Sequence, residues 1–515
     1  MRPPAALRPA LAPATLVAIF FGLYWLTLCP TVFWYDSAEY AATARTLGIA
    51  HPPGYPLYTL IGRLFTLLPL TPAYAVNLMS AVFGALAVGL AYAVTRALGA
   101  RPLAAAIGGA TLGAGSLFWF QAVIAEVYTP GISALLLVLW LLLRGDVRDR
   151  DRWLVAAALL AGLALGLHLF IATCGLGFAL LVWGAGLPIA QPRDLRLLWL
   201  RRGSARRLAR ALLCLLATAL GSTIFLYLRW RAAMQPLINF EDPSSSWERF
   251  WWFVTGGNYK HWFLEHYALG QRALRVLAVF YDQLLVVGTL LALVGLIALW
   301  RGRALIGLAL TLMIAGNVYF FFDYRVHDVE VFFLPAIAVL CCLVGVGVES
   351  ALAALERLTE GSPRARVVRR GAALVLALFP ASVAAASYGK VDLHDYTAAR
   401  DYGERMAREL PPGAVIVNYT TPPEWKNDAV FALYYQRVLG RRPDIAVRTR
   451  MERRDVIELL ARGTPVFLYY PVPRLVREFE VERAGPAYRV VRLRDRPLVP
   501  PPGMAPPVDP QADDD

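Results

Sequence analysis

Three short polar segments, each set between long apolar runs, hold the residues best suited to chemistry. The first is Trp34-Tyr35-Asp36-Ser37-Ala38-Glu39-Tyr40, with Gly48-Ile49-Ala50-His51-Pro52-Pro53-Gly54-Tyr55-Pro56 close behind it. Asp36 opens a helical pattern, where the helix dipole favours an acid and its carboxylate can accept from free N–H groups. Glu39 and Tyr40 follow at i+3 and i+4 and share its face. The same spacing suits an Asp that only caps a surface helix. Two acids, a histidine and a Pro-Pro-Gly turn in one loop between apolar runs point instead to function. The second segment is Gln121-Ala122-Val123-Ile124-Ala125-Glu126-Val127-Tyr128, in which Glu126 is either part of a cleft or a solvated helix end. The third is Asp323-Tyr324-Arg325-Val326-His327-Asp328. There Arg325 and His327 have the chemistry to hold a phosphate, or Arg325 pairs with Asp323 or Asp328.

The remaining histidines carry weaker signals. His168, in Gly166-Leu167-His168-Leu169, reads as a packing residue or as a ligand at the end of an apolar segment. His261 and His266 accompany Trp262 and Tyr267 and read as interfacial. Thr255-Gly256-Gly257-Asn258 reads as a turn. No spacing suits a metal site, no glycine-rich phosphate loop follows a strand, and no nucleophile elbow is present, so neither a metal nor another cofactor is expected.

The elements that position these segments are membrane helices. The chain has 515 residues, 58% hydrophobic and 17% charged, well outside the range of soluble domains. Eleven apolar segments are expected to cross about 30 Å of hydrocarbon: 11–29, 73–96, 102–120, 129–143, 153–170, 171–188, 209–228, 276–300, 304–322, 329–348 and 371–388. A net charge of +14 raises the question of nucleic acid. The arginines, however, cluster in alternate short loops, as the positive-inside rule requires, so no nucleic-acid partner is expected. With the N-terminus cytoplasmic, that rule puts the loops holding Asp36, Glu126 and Arg325 on the outer face of a cell inner membrane. The five cysteines, Cys29, Cys174, Cys214, Cys341 and Cys342, read as packing residues. Two helices are expected inside the first outer loop, Asp36–Leu47 and Leu57–Leu68.

After Tyr388 apolar spans cease. Strand-like runs (Ala414–Asn418, Ile445–Arg448, Pro465–Tyr470) alternate with helical ones (Asp428–Leu439, Arg453–Ala461), which predicts a small α/β domain outside the membrane. The expected organisation is a membrane domain over 1–388, an α/β domain over 389–499 and a disordered tail over 500–515. Eleven spans alone would also suit a transporter or lipid flippase, but the spans carry almost no ionisable residues.

The first segment, continued through Leu47-Gly48-Ile49-Ala50-His51-Pro52-Pro53-Gly54-Tyr55-Pro56-Leu57-Tyr58, resembles a membrane family long known only as a domain of unknown function. Its animal members are transmembrane protein O-mannosyltransferases of the GT-C class. Gln121 to Tyr128 and Leu163-Ala164-Leu165-Gly166-Leu167-His168 look like the family's next two blocks. Asn239-Phe240-Glu241-Asp242-Pro243 and Asp323 to Pro335 are fainter echoes, and the resemblance covers roughly residues 15–340. It implies a polytopic α-helical GT-C fold and a sugar, by analogy mannose, carried on a polyprenyl phosphate. It also implies transfer with inversion to an acceptor hydroxyl on a protein, a lipid or a glycan. Carried onto this sequence, Asp36 becomes the general base, and Glu39 and Glu126 position substrate or tune it. Arg325, with His51 and His327, would stabilise the departing phosphate, while Tyr40, Tyr55, Gln121, Tyr128 and His168 would line the substrate site. The mannose-type members of this class resemble metal-independent enzymes.

Overall fold

The computed structural model describes residues 8–495 except 145–149, 200–203, 240, 263–268, 327, 419–428, 450 and 472. The chain divides into two compact units: Met1–Val32 with Tyr40–Tyr396, and Phe33–Glu39 with Thr397–Asp515.

The first unit is helical, because in hydrocarbon a helix alone satisfies the backbone of a single segment. Its helices are α1 (Arg8–Leu26), α2 (Asp36–Thr46, which begins in the second unit), α3 (Pro56–Phe65), α4 (Pro72–Ala97), α5 (Pro102–Ala114) and α6 (Ser116–Ala122). There follow α7 (Tyr128–Leu143), α8 (Arg150–Ala164), α9 (Gly175–Gly184), α10 (Ser204–Ser222), α11 (Leu226–Ala233) and α12 (Trp247–Val254). The last four are α13 (Leu269–Gly302), α14 (Ala304–Phe321), α15 (Leu334–Leu358) and α16 (Ala365–Val391). Proline at the first helical position starts α3, α4 and α5, where its missing N–H has no helical partner to lose.

Each of the eleven apolar segments contains at least one of these helices, but they differ in reach. Among the described residues, six helices are long and apolar enough to cross a membrane, or seven if the bent pair α5–α6 is one span. Leu11–Leu26, Tyr128–Leu143 and Leu169–Gly184 are apolar but shorter. The helix α8 has 15 residues and begins with Arg150, Asp151 and Arg152. The residue-388 boundary expected from the sequence falls inside α16, which continues to Val391.

The helices α13 and α15 pack backbone to backbone. A side chain on Gly295 would run into the Leu343 carbonyl, and one on Gly347 into the Leu291 carbonyl. Small residues at such crossings replace the hydrophobic drive that lipid removes. At the break between α5 and α6 the two helices are bent by 69°. Gln283 of α13 closes that break: its Oε1 accepts from the Leu117 N–H at 3.2 Å and its Nε2 donates to Ser116 Oγ at 3.2 Å. Two residues on, Leu285 adopts φ 53° inside α13. The five cysteines are free and buried.

The second unit is α/β. Strands β1 (Val415–Asn418), β2 (Ala446–Thr449), β3 (Val466–Leu468), β4 (Phe479–Ala484) and β5 (Ala487–Leu493) form one sheet in the order β2-β1-β3-β5-β4. β1 pairs in parallel with β2 and β3, while β5 runs antiparallel to β3 and β4. Parallel neighbours need crossovers. Here these are a π-helix over Ala429–Val438 and a helix over Arg453–Ala461, with flanking helices Ala398–Glu409 and Pro473–Glu478. The expected helix over Asp428–Leu439 is therefore wound as a π-helix, and Asp428 lies outside the described residues. Val415, Val417, Val456, Val466, Leu468 and Phe479 are buried in its core. The Trp34 ring lies 5.3 Å from that of Tyr402. The tail over 500–515 lies outside the described residues.

Candidate active site

The helix α2 forms where acids open it (Asp36, Glu39) and Arg45 closes it, matching the dipole at both ends. Ala38, Ala41, Ala42 and Ala44 are fully buried, so the helix lies close to its neighbours. Its C-terminus is held by arginines. Arg231 donates Nε to the Leu47 carbonyl at 2.7 Å and Nη2 to that of Thr46 at 3.3 Å. Arg63 donates to the Arg45 carbonyl at 2.8 Å. The chain then bridges to the 229–239 stretch, with the Ile49 N–H donating to the Ile238 carbonyl at 2.9 Å.

The His51-Pro52-Pro53-Gly54 turn closes with the Gly54 N–H on the His51 carbonyl at 2.8 Å. Gly54 has φ 91°, and a Cβ there would sit 2.7 Å from Leu228 Cδ1 and 2.8 Å from Phe253 Cε1. Only glycine meets both demands. The turn delivers Tyr55 back onto His51, with Tyr55 Oη 3.2 Å from His51 Nε2.

Around this turn the aromatic residues form a continuous chain. Tyr40 of α2 meets His51 (ring centroids 5.8 Å), Tyr55 (5.5 Å, edge on) and Tyr58 (5.2 Å). Tyr55 reaches His168 at 5.8 Å, and His168 reaches Tyr128 at 5.4 Å, Phe170 at 4.5 Å and Phe332 at 5.4 Å. His168 occupies the turn between α8 and α9, where its Nδ1 accepts from the Phe170 N–H at 3.0 Å. The ring proton is thereby assigned to Nε2. Burial, and then the neighbouring His51, lowers its pKa to about 3, so it is neutral at physiological pH.

Glu126 is buried in the short link between α6 and α7, its backbone held to Ser80 at 3.3 Å. Burial, reinforced by the charge on Glu126, pushes the Tyr58 phenol well above its usual range. Gln121 is buried, and its Oε1 has no hydrogen-bond partner among the described residues. A substrate hydroxyl would satisfy such an acceptor.

Thus Tyr40, His51, Tyr55, Tyr128 and His168 stand together. Asp36 and Glu39 lie in the first turn of the same unbroken helix as Tyr40, Glu39 being buried. Arg325 is exposed on the turn after α14, and His327 is outside the described residues. The expected pairing of Arg325 with Asp323 has a competitor: Asp323 forms an ion pair with Arg272, both largely buried. Tyr58, Phe170, Phe332 and Arg231 were not anticipated. For Tyr58 a signal existed, since it follows Tyr55 at i+3 on an amphipathic stretch. Arg231 gave none.

Residues 36–184, which hold most of this cluster, match the family model described as the Protein O-mannosyl-transferase TMEM260 N-terminal domain. The mouse protein O-mannosyl-transferase TMEM260 is 36% identical over 126 residues, 24% of this chain and 18% of that protein. The Dictyostelium discoideum protein O-mannosyl-transferase tmem260 is 36% identical over 81 residues, 14% of this chain and 10% of that protein. The match thus spans less than a fifth of the length of these curated relatives. Among solved structures, ArnT from Cupriavidus metallidurans bound to undecaprenyl phosphate superposes with a TM-score of 0.61 at 16% identity, over 94% of this chain and 98% of that one. The chain is a multi-pass membrane protein with the fold of GT-C glycosyltransferases.

Proposed function

We propose that this chain is a membrane glycosyltransferase that moves a sugar, by analogy mannose, from a polyprenyl-phosphate carrier to an acceptor hydroxyl. The observation that carries this reading is a coincidence of place. The residues that match the O-mannosyltransferase family model are the ones that fold into the buried chain of rings, histidines and acids. The bound undecaprenyl phosphate named for ArnT supports the class of donor.

In the reaction Asp36 accepts the proton of the acceptor hydroxyl as that oxygen attacks the anomeric carbon. The bond from that carbon to the phosphate oxygen breaks, its electron pair leaves with the polyprenyl phosphate, and the configuration inverts. Glu39 and Glu126 position substrate or tune Asp36. The exposed Arg325, with His51 and His327, takes the charge growing on the leaving phosphate. The Nε2–H of neutral His168 donates to a sugar hydroxyl, the Gln121 oxygen accepts one, and the rings of Tyr40, Tyr55 and Tyr128 give the sugar apolar faces. The acceptor side lies outside the membrane, on the face opposite the arginine-rich loops.

Asp36→Asn keeps shape and removes the base. Transfer from polyprenyl-phosphate mannose by the purified protein should fall by about 10²–10⁴-fold with folding and insertion unchanged. Retained activity would remove Asp36 from the mechanism. Chelation with EDTA is expected to leave transfer intact. Loss restored by an added divalent cation would instead assign a metal to the reaction.

A further inference from the structure

The helix α4 begins at Pro72, directly after the loop that holds α2 and α3, and runs 26 residues, about 39 Å at the α-helical rise. At its far end the Ala97 carbonyl accepts from Arg303 Nη1 at 2.9 Å. Beside Arg303 a cavity of about 450 Å³ opens between the ends of α7, α8, α9 and α14. Its walls are apolar, with Leu181, Leu187 and Leu305 among them, and three arginines reach it: Arg144, Arg150 and Arg303. No Asp or Glu is among its described lining residues.

Nothing described nearby neutralises these cations. The Arg144 guanidinium lies over Trp140 at 4.5 Å and Trp153 at 4.9 Å, contacts that orient a charge without cancelling it. Arg303 is half-buried, its described bond goes to a neutral carbonyl, and burial lowers its pKa. The carboxylate of Asp151, next to Arg150 in sequence, faces Arg206 and Arg210 at 3.5 Å each. Arg150 and Arg303 are only partly exposed, and cations drawn partly out of water are costly unless an anion joins them. Guanidinia match phosphate oxygens two at a time, and the leucine walls match hydrocarbon. A free phosphate would use the arginines and waste the walls.

We propose that this cavity binds the phosphodiester headgroup of an anionic phospholipid, with the start of an acyl chain against Leu181, Leu187 and Leu305. The site is separate from the sugar-transfer cluster and lies at the other end of α4 from it. Basic pockets between membrane helices have the chemistry for such headgroups.

The test is native mass spectrometry of the full chain released from mixed phosphatidylglycerol and phosphatidylcholine micelles. Wild-type protein should keep phosphatidylglycerol at least about tenfold in preference, a factor that corresponds to about 1.4 kcal/mol. Arg150→Ala with Arg303→Ala should erase the preference. Because Arg303→Ala also removes the bond to Ala97, Arg144→Gln with Arg150→Gln leaves that bond intact and carries the same expectation. Leu305→Trp, which fills the wall, should reduce retention while the arginines remain. Equal retention of both lipids by wild-type protein, or undiminished preference in the arginine variants, overturns the proposal. Displacement of the lipid by millimolar inorganic phosphate, with Leu305→Trp without effect, would make it a free-phosphate site and overturn the lipid assignment.

Discussion

At the residue scale, His168 shows how a backbone bond and burial together decide a side chain's chemistry. With Nδ1 occupied by the Phe170 N–H, the ring presents a donor at Nε2 and stays neutral. Its folded pKa of about 3 lies below the ordinary value of roughly 6.5. Between those limits the unfolded chain binds a proton that the folded chain excludes, so stability falls as pH falls through that window. From pH 6.5 to pH 5 the loss from this group is at most about 2 kcal/mol. His168→Phe should flatten that part of the stability profile, read as the change in Tm between pH 7 and pH 5. Identical slopes for the two proteins would remove His168 as their source. Sequence alone left His168 between packing residue and ligand. Its partner Phe170 is two residues away, but the rings of Tyr55, Tyr128 and Phe332 that surround it come from three separate segments.

At the element scale, α2 is fixed from its C-terminal end. Arg231 reaches it across 184 residues of chain and places a cation on the carbonyls where the helix dipole is negative. Losing two such bonds should cost about 1–3 kcal/mol and loosen the seat of the helix that carries Asp36 and Glu39 in its first turn. Arg231→Ala is expected to lower kcat by tenfold or more with KM little changed. Arg231→Lys, which keeps the charge and loses the planar fork, should recover only part of it. A rise in KM alone would point to substrate binding instead of positioning. The helix itself was legible: acids at its start, alanines within and proline at the head of the next helix are local signals. The clamp was not, because one arginine among many in a basic chain carries no mark of its destination. The break at Leu285 was equally hidden, since a leucine in an apolar run has no composition that announces φ 53°. The Arg272–Asp323 pair was missed for a similar reason: Arg325 was nearer in sequence, and nearness in sequence is not nearness in a bundle. In the second unit, β4 alternates apolar and charged residues over Phe479-Glu480-Val481-Glu482, a legible signal that lay in a stretch where no strand was expected.

At the scale of the whole molecule, hydrophobic length and arginine placement were enough to read a helical membrane bundle followed by an α/β unit, because both follow from solvent and not from detail. Reach was harder to read. Several apolar segments form helices shorter than a bilayer-crossing length, and one is broken in two. The α/β unit has its own sheet and core, so a fragment covering 397–499 is expected to be soluble and to unfold in one cooperative transition followed by circular dichroism. A fragment without cooperative melting would show that this unit depends on the rest of the chain. Finally, the socket at the α5–α6 break has a bearing on biogenesis. The amide of Leu117 and the hydroxyl of Ser116 enter the membrane long before Gln283 has been synthesised. Until α13 arrives, a backbone donor stands open in a medium that offers no water to receive it. The 121–128 loop just beyond that break therefore sets late. Nascent chains arrested before residue 283 should remain open to protease there, and chains arrested beyond α13 should be protected.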